Sequence, residues 1–494
     1  MYTRGFGGII PGPLIRMKAC GTYRLTVFNT LGSPDYISGE MNTFSHPNST
    51  NLHVHGLHIS SESGYDDILG VTIGPGESHN YTYPIVCDHM GGLFFYHTHH
   101  HGSVALQTGG GAFGPLVIEE NTPVPAWLST MDTHYIVMHE TWVGELDDDF
   151  EILNLLQVAR ESNDEVMSRS TPGKEPFILV NGEISPTFRG FRAEIWNRVQ
   201  LLWSGGVPGL NYVLKFEAKK TTAGCEYILL GKDGVYLTNV PRYLARYNNR
   251  VFVTPSSRLD IAFRCAMKGP IIVTAYAASD LEATSANDYI YSGGSVQVAT
   301  LKVGGNNPLE EDIGEYSWTP CRPSYLYDLL GETAEYSSSV IITGEGFGDA
   351  EFNLATSQDF DLVNRGGQDV CLTRFGGDID DFLYSYDVDS VVEWRVSGSG
   401  SGPDFANAAG HVHPVHLHVY HMQFQSDSSI RVMNGYATAW NHKGDFVDTV
   451  SSDGTATMRF RTERFGGRIP MHCHVLEHSD LGSFALIRVS GGQG

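Results

Sequence analysis

The chain has 494 residues, of which 41% are hydrophobic and 18% charged, so a globular protein with a large core is expected rather than a disordered one. Its formal net charge of -24 argues against nucleic acid or an anionic membrane surface as a partner, because like charges repel. No run approaches the roughly 20 apolar residues that span a bilayer, and residues 1–6 do not resemble a secretory signal peptide. The sequence therefore predicts either an intracellular chain or one whose signal has been removed or left out.

Short apolar or alternating runs separated by turn signals predict β-strands throughout the chain. In chain order these runs are Tyr23–Phe28, Gly114–Ile118, Tyr135–Met138, Phe177–Val180, Tyr212–Phe216, Leu259–Phe263, Thr457–Arg461 and Phe484–Val489. Apolar residues on one helical face after an acidic start predict a short helix over Phe150–Glu161. We therefore expect an all-β protein built from β-sandwiches.

Two segments rich in turn-forming residues mark the expected boundaries between three domains. Glu119–Leu128 holds two prolines, and Gly304–Pro323 is rich in Gly, Asn, Glu and Pro. The predicted domains are residues 1–122, 123–305 and 306–494. The first and last contain paired histidine motifs, whereas the middle one contains none.

The seven cysteines are spread along the chain so that, apart from Cys473, two fall in each predicted domain. The simplest pairing is one disulfide in each domain, although six cysteines allow 15 connectivities and buried free thiols are the alternative. The expected pairs are Cys20–Cys87, Cys225–Cys265 and Cys321–Cys371. Such bridges indicate an oxidising compartment.

Four His-x-His pairs stand out, two towards each end of the chain. They are His53/His55, His97/His99, His416/His418 and His472/His474. Because side chains alternate along a strand, both imidazoles of a pair lie on one face and can bind metal together. A single pair usually marks a surface or core histidine, but four pairs in this arrangement predict a metal centre. Eight histidines exceed the needs of one tetrahedral zinc ion.

Three further residues, His413, Cys473 and His478, offer two imidazoles and one thiolate. This is the ligand set of a trigonal blue-copper centre. Cys473 stands between His472 and His474 in the sequence, so a copper ion bonded to it would be joined covalently to histidines that bind other metals. The sequence thus predicts a short path for electrons between two kinds of copper site.

These motifs make the chain resemble a three-domain multicopper oxidase of the laccase type, built from three cupredoxin-like Greek-key β-sandwich domains. The matching segments are Asn51–His58, Tyr96–Ser103, His413–His418 and His472–His478. The resemblance covers most of the first and third domains. The second domain matches only in its general pattern of predicted β-strands. It is expected to act as a spacer that shapes the substrate cleft.

The resemblance implies four copper ions per chain: one type 1, one type 2 and two type 3. It implies His413, Cys473 and His478 as type 1 ligands, and His53 and His416 as type 2 ligands. The implied type 3 ligands are His55, His97, His99, His418, His472 and His474. The type 2 and type 3 ions would form a trinuclear cluster between the first and third domains, with four histidines from each.

The predicted catalytic residues are Asp66, Cys473 and His478. Asp66 aligns best with the acid that supports oxygen reduction in the family, whereas Cys473 and His478 would carry electrons. Some relatives have an acid directly after the second type 1 histidine, where this chain has Ser479, so that role would pass to Asp480, Glu477 or no residue. Asp445 and Asp448 are candidates for orienting the ligating imidazoles, with plain turn residues as the alternative.

One departure from the family pattern stands five residues after His478. Relatives usually have Met, Leu or Phe there, at the axial position of the type 1 copper, whereas this chain has Ser483. Three alternatives remain open: Phe484 or another apolar group fills the space, a water molecule occupies it, or the loop is shifted. Loss of a thioether would raise the reduction potential, and water ligation would do the reverse.

The resemblance implies a laccase-like enzyme that oxidises phenols or aromatic amines by single electrons and reduces dioxygen to water. A metal oxidase acting on ferrous or manganous ions is the alternative, since the acidic composition suits cations. A nitrite reductase is disfavoured because it lacks the full type 3 set, and a copper carrier because such scaffolds typically lose ligands.

The expected partners are a small-molecule reducing substrate and dioxygen, with no nucleic acid and no membrane, and the expected oligomeric state is a monomer. A secreted or periplasmic location is expected from the family and from the possible disulfides.

Overall fold

The computed structural model describes residues 4–32, 35, 37, 42–121, 123–141, 177–206, 211–219, 224–277, 295–306, 318–343, 353–356, 362–365, 368–373, 377–399, 413–427, 441–451 and 455–493. The described strands fall into three successive groups, each with two hydrogen-bonded sheets. The helix predicted over Phe150–Glu161 lies outside the described residues.

The first group pairs a four-stranded sheet with a two-stranded one. Its elements are β1 (Ile15–Met17), β2 (Thr22–Phe28), β3 (His53–His55), β4 (Ser78–Pro84), β5 (Gly92–His97), α1 (Val104–Gly109), β6 (Phe113–Ile118) and α2 (Ala126–Ser129), after a 3-10 turn at Phe6–Gly8. The larger sheet has the order β1-β6-β5-β3, and β2 pairs with β4. Tyr81 and Phe94 belong to one buried apolar cluster that joins both sheets, which indicates a sandwich.

The middle group contains most of the largest buried apolar cluster among the described residues. Its strands are β7 (Thr133–Thr141), β8 (Phe177–Val180), β9 (Glu183–Ile184), β10 (Thr187–Ala193), β11 (Asn197–Gly206), β12 (Tyr212–Ala218), β13 (Cys225–Lys232), β14 (Val235–Tyr236), β15 (Arg242–Tyr243), β16 (Arg250–Val253), β17 (Arg258–Cys265), β18 (Gly269–Ala277) and β19 (Ser295–Asn306), with a 3-10 turn at Leu244–Tyr247. Trp203 of β11 packs edge-on against Tyr212 of β12, with 5.1 Å between ring centroids. These two strands belong to different sheets, so the contact lies in the core between them.

The third group contains the C-terminal histidine motifs. After a 3-10 turn at Ser324–Leu326, its elements are β20 (Tyr336–Thr343), β21 (Asn353–Thr356), β22 (Leu362–Arg365), β23 (Gln368–Thr373), β24 (Tyr384–Asp387), β25 (Val391–Ser399), β26 (Pro414–Leu417), β27 (Met422–Phe424), β28 (Phe446–Val447), β29 (Thr449–Ser451), β30 (Thr455–Arg461), β31 (Gly467–Cys473), α3 (Leu476–Asp480) and β32 (Phe484–Ser490). One sheet has the order β24-β32-β31-β26-β29. Trp394 and Met471, from opposite sheets, lie in the same apolar core.

Each of the eight predicted strands coincides with a strand of the structure, and the described helices are few and short, so the all-β prediction is confirmed. The predicted alternation is visible in β2, where Tyr23, Leu25 and Val27 are half-buried and their neighbours are exposed. The limits of the three domains at residues 122 and 305 stay a prediction. Among the described residues, no helix combines the length and the apolar character needed to cross a bilayer.

Strand register brings the histidine motifs together within each end of the chain. In the first group, β3 and β5 are antiparallel neighbours and pair His53 directly with His97. In the third group, β26 and β31 are antiparallel neighbours and pair His416 directly with His472. Each end of the chain therefore presents two histidine motifs from adjacent strands.

Two of the three expected disulfides are present, Cys20–Cys87 and Cys225–Cys265. The third pairing was wrong, because Cys321 is a free, exposed thiol. The segment around it is attached to other parts of the molecule: Trp318 bridges to Val240 of the middle group, and the Tyr325 hydroxyl accepts the Met90 amide of the first group at 3.0 Å. Its expected partner, Cys371, lies on β23, within a sheet of the third group.

Cysteine substitutions test this corrected pairing. Cys225→Ser is expected to lower the free energy of unfolding by about 2–5 kcal/mol, because it removes a native disulfide. Cys321→Ser is expected to leave that free energy unchanged, because an exposed free thiol makes no bridge. Denaturant unfolding of both variants measures the difference, and an equal loss in the two would contradict the pairing.

Candidate metal centres

The eight paired histidines form one buried cluster between the two ends of the chain. Every one of them is at most 3% exposed: His53, His55, His97, His99, His416, His418, His472 and His474. Contacts cross between the ends, since the His55 and His416 rings stack with 3.8 Å between centroids and those of His53 and His418 stack at 4.1 Å. Neither end therefore forms the cluster alone.

Within the cluster, three histidines point their Nε2 atoms at a common point. His472 Nε2 lies 3.0 Å from His99 Nε2 and 3.1 Å from His418 Nε2. The three donor atoms all fall within 4.8 Å of one another. Two unprotonated nitrogens facing each other at this distance repel unless a cation or a proton lies between them, so this arrangement fits a bound metal ion.

The other histidines surround this set. His474 Nε2 approaches His55 Nδ1 at 3.2 Å, and the His97 ring lies 5.4 Å from His474 and 5.8 Å from His55 between centroids. His53 and His416 each have a buried Nε2 atom without a hydrogen-bond partner among the described residues. Both belong to one donor group with His418.

The environment keeps these imidazoles neutral, which is the form that binds metal. Burial lowers the pKa of His53 well below its usual range, and the neighbouring His97 and His99 lower it further. Burial likewise lowers the pKa of His97 to about 3 and of His472 to about 4. A cluster of buried neutral imidazoles presents lone pairs rather than positive charges.

Oxygen acceptors fix the outer nitrogen of several cluster histidines. His53 Nδ1 lies 2.7 Å from Asp66 Oδ2, and the other Asp66 oxygen accepts the Val54 amide at 3.0 Å. His416 Nδ1 donates to the Asp448 main-chain oxygen at 2.9 Å, and His55 Nε2 lies 3.3 Å from Asp448 Oδ1. Such contacts set the tautomer and direct the remaining nitrogen inward.

The hypothesis that Asp448 orients imidazoles agrees with this geometry, whereas the one for Asp445 was wrong. The Asp445 carboxylate accepts two hydrogen bonds from Arg242, at 2.7 and 2.9 Å, and one from the His442 main-chain amide at 3.0 Å. It binds the middle strand group to the third one and contacts none of the eight cluster histidines among the described hydrogen bonds.

A second donor set lies on the other face of β31. Cys473 Sγ is 3.6 Å from His413 Nδ1 and 3.4 Å from His478 Nδ1, and the two Nδ1 atoms are 3.1 Å apart. The centre of such a triangle is about 2.0 Å from each corner, close to a metal–nitrogen bond length. Burial raises the pKa of the Cys473 thiol to about 12, so its thiolate needs a cation beside it.

Alternation along β31 connects the two donor sets. Cys473 points to His413 and His478, whereas its neighbours His472 and His474 reach the eight-histidine cluster from the opposite face. A thiolate bound in one set is therefore one peptide bond away from a histidine of the other set on either side. The structure brings together all eleven predicted ligands in these two sets.

The segment after His478 joins the second donor set to α1 of the first strand group. Asp480, fully buried, accepts main-chain hydrogen bonds from Gly102 at 2.8 Å, Val104 at 3.0 Å and Ala105 at 2.8 Å. These buried amides lie at the start of α1, where main-chain donors have no acceptor within the helix and a carboxylate stabilises them. The contact ties α3, which carries His478, to the segment after His99.

Ser483 is fully buried and stays beside the second donor set. Its amide donates to the His478 main-chain oxygen at 2.9 Å, and its own carbonyl accepts the Cys473 amide at 3.0 Å. The Ser483 hydroxyl and the nearby Ser479 hydroxyl both lack hydrogen-bond partners among the described residues. This backbone holds Ser483 against both Cys473 and His478, which argues against the shifted loop, one of the three alternatives at this position.

One residue of the site escaped the sequence analysis, namely Arg258 at the start of β17. Its guanidinium is 1% exposed and forms an ion pair with Asp448. The sequence places this arginine directly before the predicted strand Leu259–Phe263. That position could have indicated a specific ion pair, because a buried arginine is rarely without a partner. The middle strand group therefore contacts Asp448, which in turn contacts His55 and His416.

Comparison with known proteins gives a consistent result. Two family profiles, both described as multicopper oxidase, match residues 2–123 and 352–493, together just over half of the chain. A multicopper oxidase of Mycobacterium tuberculosis is 24% identical over 40% of this chain and 38% of its own length. Laccase-1 of Botryotinia fuckeliana is 35% identical over 25% of this chain and 18% of its own length. Less than two fifths of each of these relatives is therefore matched.

The fold has a close match among solved structures. The multicopper oxidase from Campylobacter jejuni, described as a metallo-oxidase, superposes with a TM-score of 0.66 over 98% of this chain and 86% of its own, at 17% identity. That likeness confirms the predicted cupredoxin-like architecture. With two family profiles spanning both histidine-bearing ends, the chain belongs to the multicopper oxidase family.

Proposed function

We propose that this chain is a laccase-like oxidase with four copper ions, one type 1, one type 2 and two type 3. One observation carries the proposal: Cys473 contacts two histidines on one face of β31 while its two neighbours join the eight-histidine cluster on the other. A single strand thus links a site suited to accept electrons with a site that has enough donors for several metal ions.

The donor geometry supports an assignment of ligands to the copper types. His413, Cys473 and His478 would hold the type 1 ion, and His53 and His416, with inward Nε2 atoms, the type 2 ion. The six remaining histidines divide into two sets of three for the type 3 pair: His99, His418 and His472 in one, and His55, His97 and His474 in the other. Each set of three draws on both ends of the chain.

When bound, the copper ions would accept single electrons from a reducing substrate and together deliver four of them to dioxygen. The chain's own contribution is to hold the donors rigidly and to keep bulk water out, because every cluster histidine is buried. The path from Cys473 to His472 and His474 runs through covalent bonds of the backbone. Because this path is covalent, we expect electrons to pass along it rather than through contacts between atoms that are not bonded.

Asp66 has a defined place in this proposal. Its Oδ2 atom accepts the His53 Nδ1 proton, which leaves Nε2 as the inward lone pair. Both carboxylate oxygens are used, since Oδ1 accepts the Val54 amide. We therefore propose that Asp66 positions His53 and is also the acid that supports oxygen reduction, as the family resemblance implies.

Phenols and aromatic amines are the proposed substrates. They can be oxidised by electron transfer without binding to the copper ion, so the reaction requires few specific contacts in the substrate pocket. Oxidation of ferrous or manganous ions is the second candidate. The net charge of -24 favours the approach of cations, and the structural relative from Campylobacter jejuni is described as a metallo-oxidase. A monomer, secreted or periplasmic, is proposed, and the two disulfides support such a location.

Oxygen uptake by the copper-loaded protein tests the function. We expect a phenolic dye to be oxidised with consumption of dioxygen, and Cys473→Ser to abolish this by removing the thiolate that connects the two sites. Cys321→Ser, which changes an exposed thiol, is the matched control and is expected to retain full activity. Faster turnover of ferrous iron than of the dye would favour the metal oxidase, and no oxygen uptake with either donor would overturn the proposal.

Asp66→Asn tests the proposed role of that carboxylate. An amide offers one acceptor oxygen where two are used, so we expect oxygen reduction and copper retention at the cluster to fall by about 10- to 100-fold. Asp67→Asn is the control, because the equally buried Asp67 accepts the Leu69 and Gly70 amides through one oxygen and contacts no cluster histidine in the described network. Equal effects of the two substitutions on copper retention, measured by chelator competition, would contradict this role.

A further inference from the structure

The middle strand group inserts one buried cation next to the histidine cluster. Arg258 Nη1 donates to Asp448 Oδ1 at 3.1 Å and to the Ser256 carbonyl at 2.7 Å, and Nη2 donates to Asp448 Oδ2. The pairing is bidentate, which fixes the plane of the carboxylate as well as its position. Both side chains are 1% exposed.

Asp448 in turn contacts one histidine from each end of the chain. Its Oδ1 atom lies 3.3 Å from His55 Nε2, and its main-chain oxygen accepts the His416 Nδ1 proton at 2.9 Å. These two imidazoles stack on each other with 3.8 Å between centroids and 14° between planes. One residue therefore orients a donor from the first strand group and a donor from the third.

The surroundings pack closely against the ion pair. A side chain on Gly56 would place its Cβ 2.5 Å from Arg258 Nη2 and 2.6 Å from Asp448 Oδ2, and Gly56 has a φ of +84°. Asp233 accepts the Arg258 main-chain amide at 3.0 Å. The Ser256 and Thr449 hydroxyls meet at 2.8 Å and connect the same two strand groups beside it.

Fixing the carboxylate has a direct consequence for the lone pairs of the cluster. With Oδ1 held towards His55 Nε2, the proton of that ring lies on Nε2, and Nδ1 faces His474 Nε2 at 3.2 Å. With the Asp448 main chain held, His416 presents Nε2 inward. Without the guanidinium, the carboxylate would lose two charge-assisted hydrogen bonds and keep the neutral one that the Thr449 hydroxyl donates to Oδ1 at 3.0 Å. We expect that weaker contact to hold the carboxylate less firmly towards His55.

We propose that Arg258 is a positioning residue through which the middle strand group sets the orientation of His55 and His416, and thereby the copper affinity of the cluster. This inference rests on the proposed function, because it concerns the type 2 and type 3 ligands assigned there. It gives the middle group a part in assembling the site, beyond separating the two ends of the chain.

A second ion pair in the same protein provides a matched control. Arg242 and Asp445 also connect the middle and third strand groups, with two hydrogen bonds at 2.7 and 2.9 Å, and their side chains are 7% and 0% exposed. The Arg242 guanidinium is thus buried and bidentate like that of Arg258, but its carboxylate partner does not contact the eight histidines in the described hydrogen-bond network. Its loss measures the general effect of breaking such a pair.

The experiment compares Arg258→Met, Arg258→Lys and Asp448→Asn with Arg242→Met in the copper-loaded full chain. Copper affinity of the cluster is measured by chelator competition, the type 2 site by EPR, and the type 1 site by its visible absorption. We expect Arg258→Met and Asp448→Asn to weaken cluster copper by about 10- to 100-fold while the type 1 absorption is kept. Arg258→Lys is expected to recover part of this affinity, and Arg242→Met to keep all of it.

Thermal unfolding of the same variants separates assembly of the site from general stability. If Arg258→Met fails to fold, the double variant Arg258→Met/Asp448→Asn removes both charges and is expected to show the same loss of cluster copper. Unchanged affinity in the folded variants, or an equal loss in Arg242→Met, would overturn the inference. An unmodified chain that holds type 1 copper but no cluster copper would overturn the assignment of copper types itself, and the inference with it.

Discussion

Alternation of side chains along β31 is the constraint on which both donor sets depend. Three consecutive residues, His472, Cys473 and His474, must serve two sites, and only an extended backbone turns the middle side chain away from the outer two. The strand is held in that state from both sides, by β26 and by β32. The site is therefore a consequence of sheet pairing, and the spacing between its two halves is set by the backbone.

The cluster also depends on how firmly the two ends of the chain are held together. Asp480 closes the gap on one side by accepting three main-chain amides at the start of α1. Asp448 and Arg258 close it on another, within reach of His55 and His416. Both contacts are buried, and each carboxylate accepts several hydrogen bonds. These hydrogen bonds offset the unfavourable free energy of removing a charge from water. The middle strand group thus belongs to the architecture of the metal site.

Much of this could be predicted from the sequence, because strand periodicity and His-x-His spacing are local signals. The eight predicted strands and the grouping of His413, Cys473 and His478 needed no knowledge of tertiary structure. Arg258 and the capping role of Asp480 could not be predicted, because each acts on residues far away in the chain, 190 residues away for Arg258 and Asp448. The pairing of Cys321 failed for the same reason, since equal spacing along the chain ignores which strand group holds each segment. Ser483 illustrates an intermediate case: its departure from the family is visible in the sequence, whereas its placement against Cys473 and His478 is not.

The central claim is that one strand joins a thiolate copper site to a cluster that holds the other copper ions. The most direct measurement is the copper content of the loaded protein together with its visible absorption and EPR spectrum. The account predicts four copper ions per chain, the strong visible absorption of a copper–thiolate bond, and two distinct paramagnetic signals, one from each kind of site. A fully loaded protein with fewer than two copper ions, or one without the thiolate absorption, would contradict it.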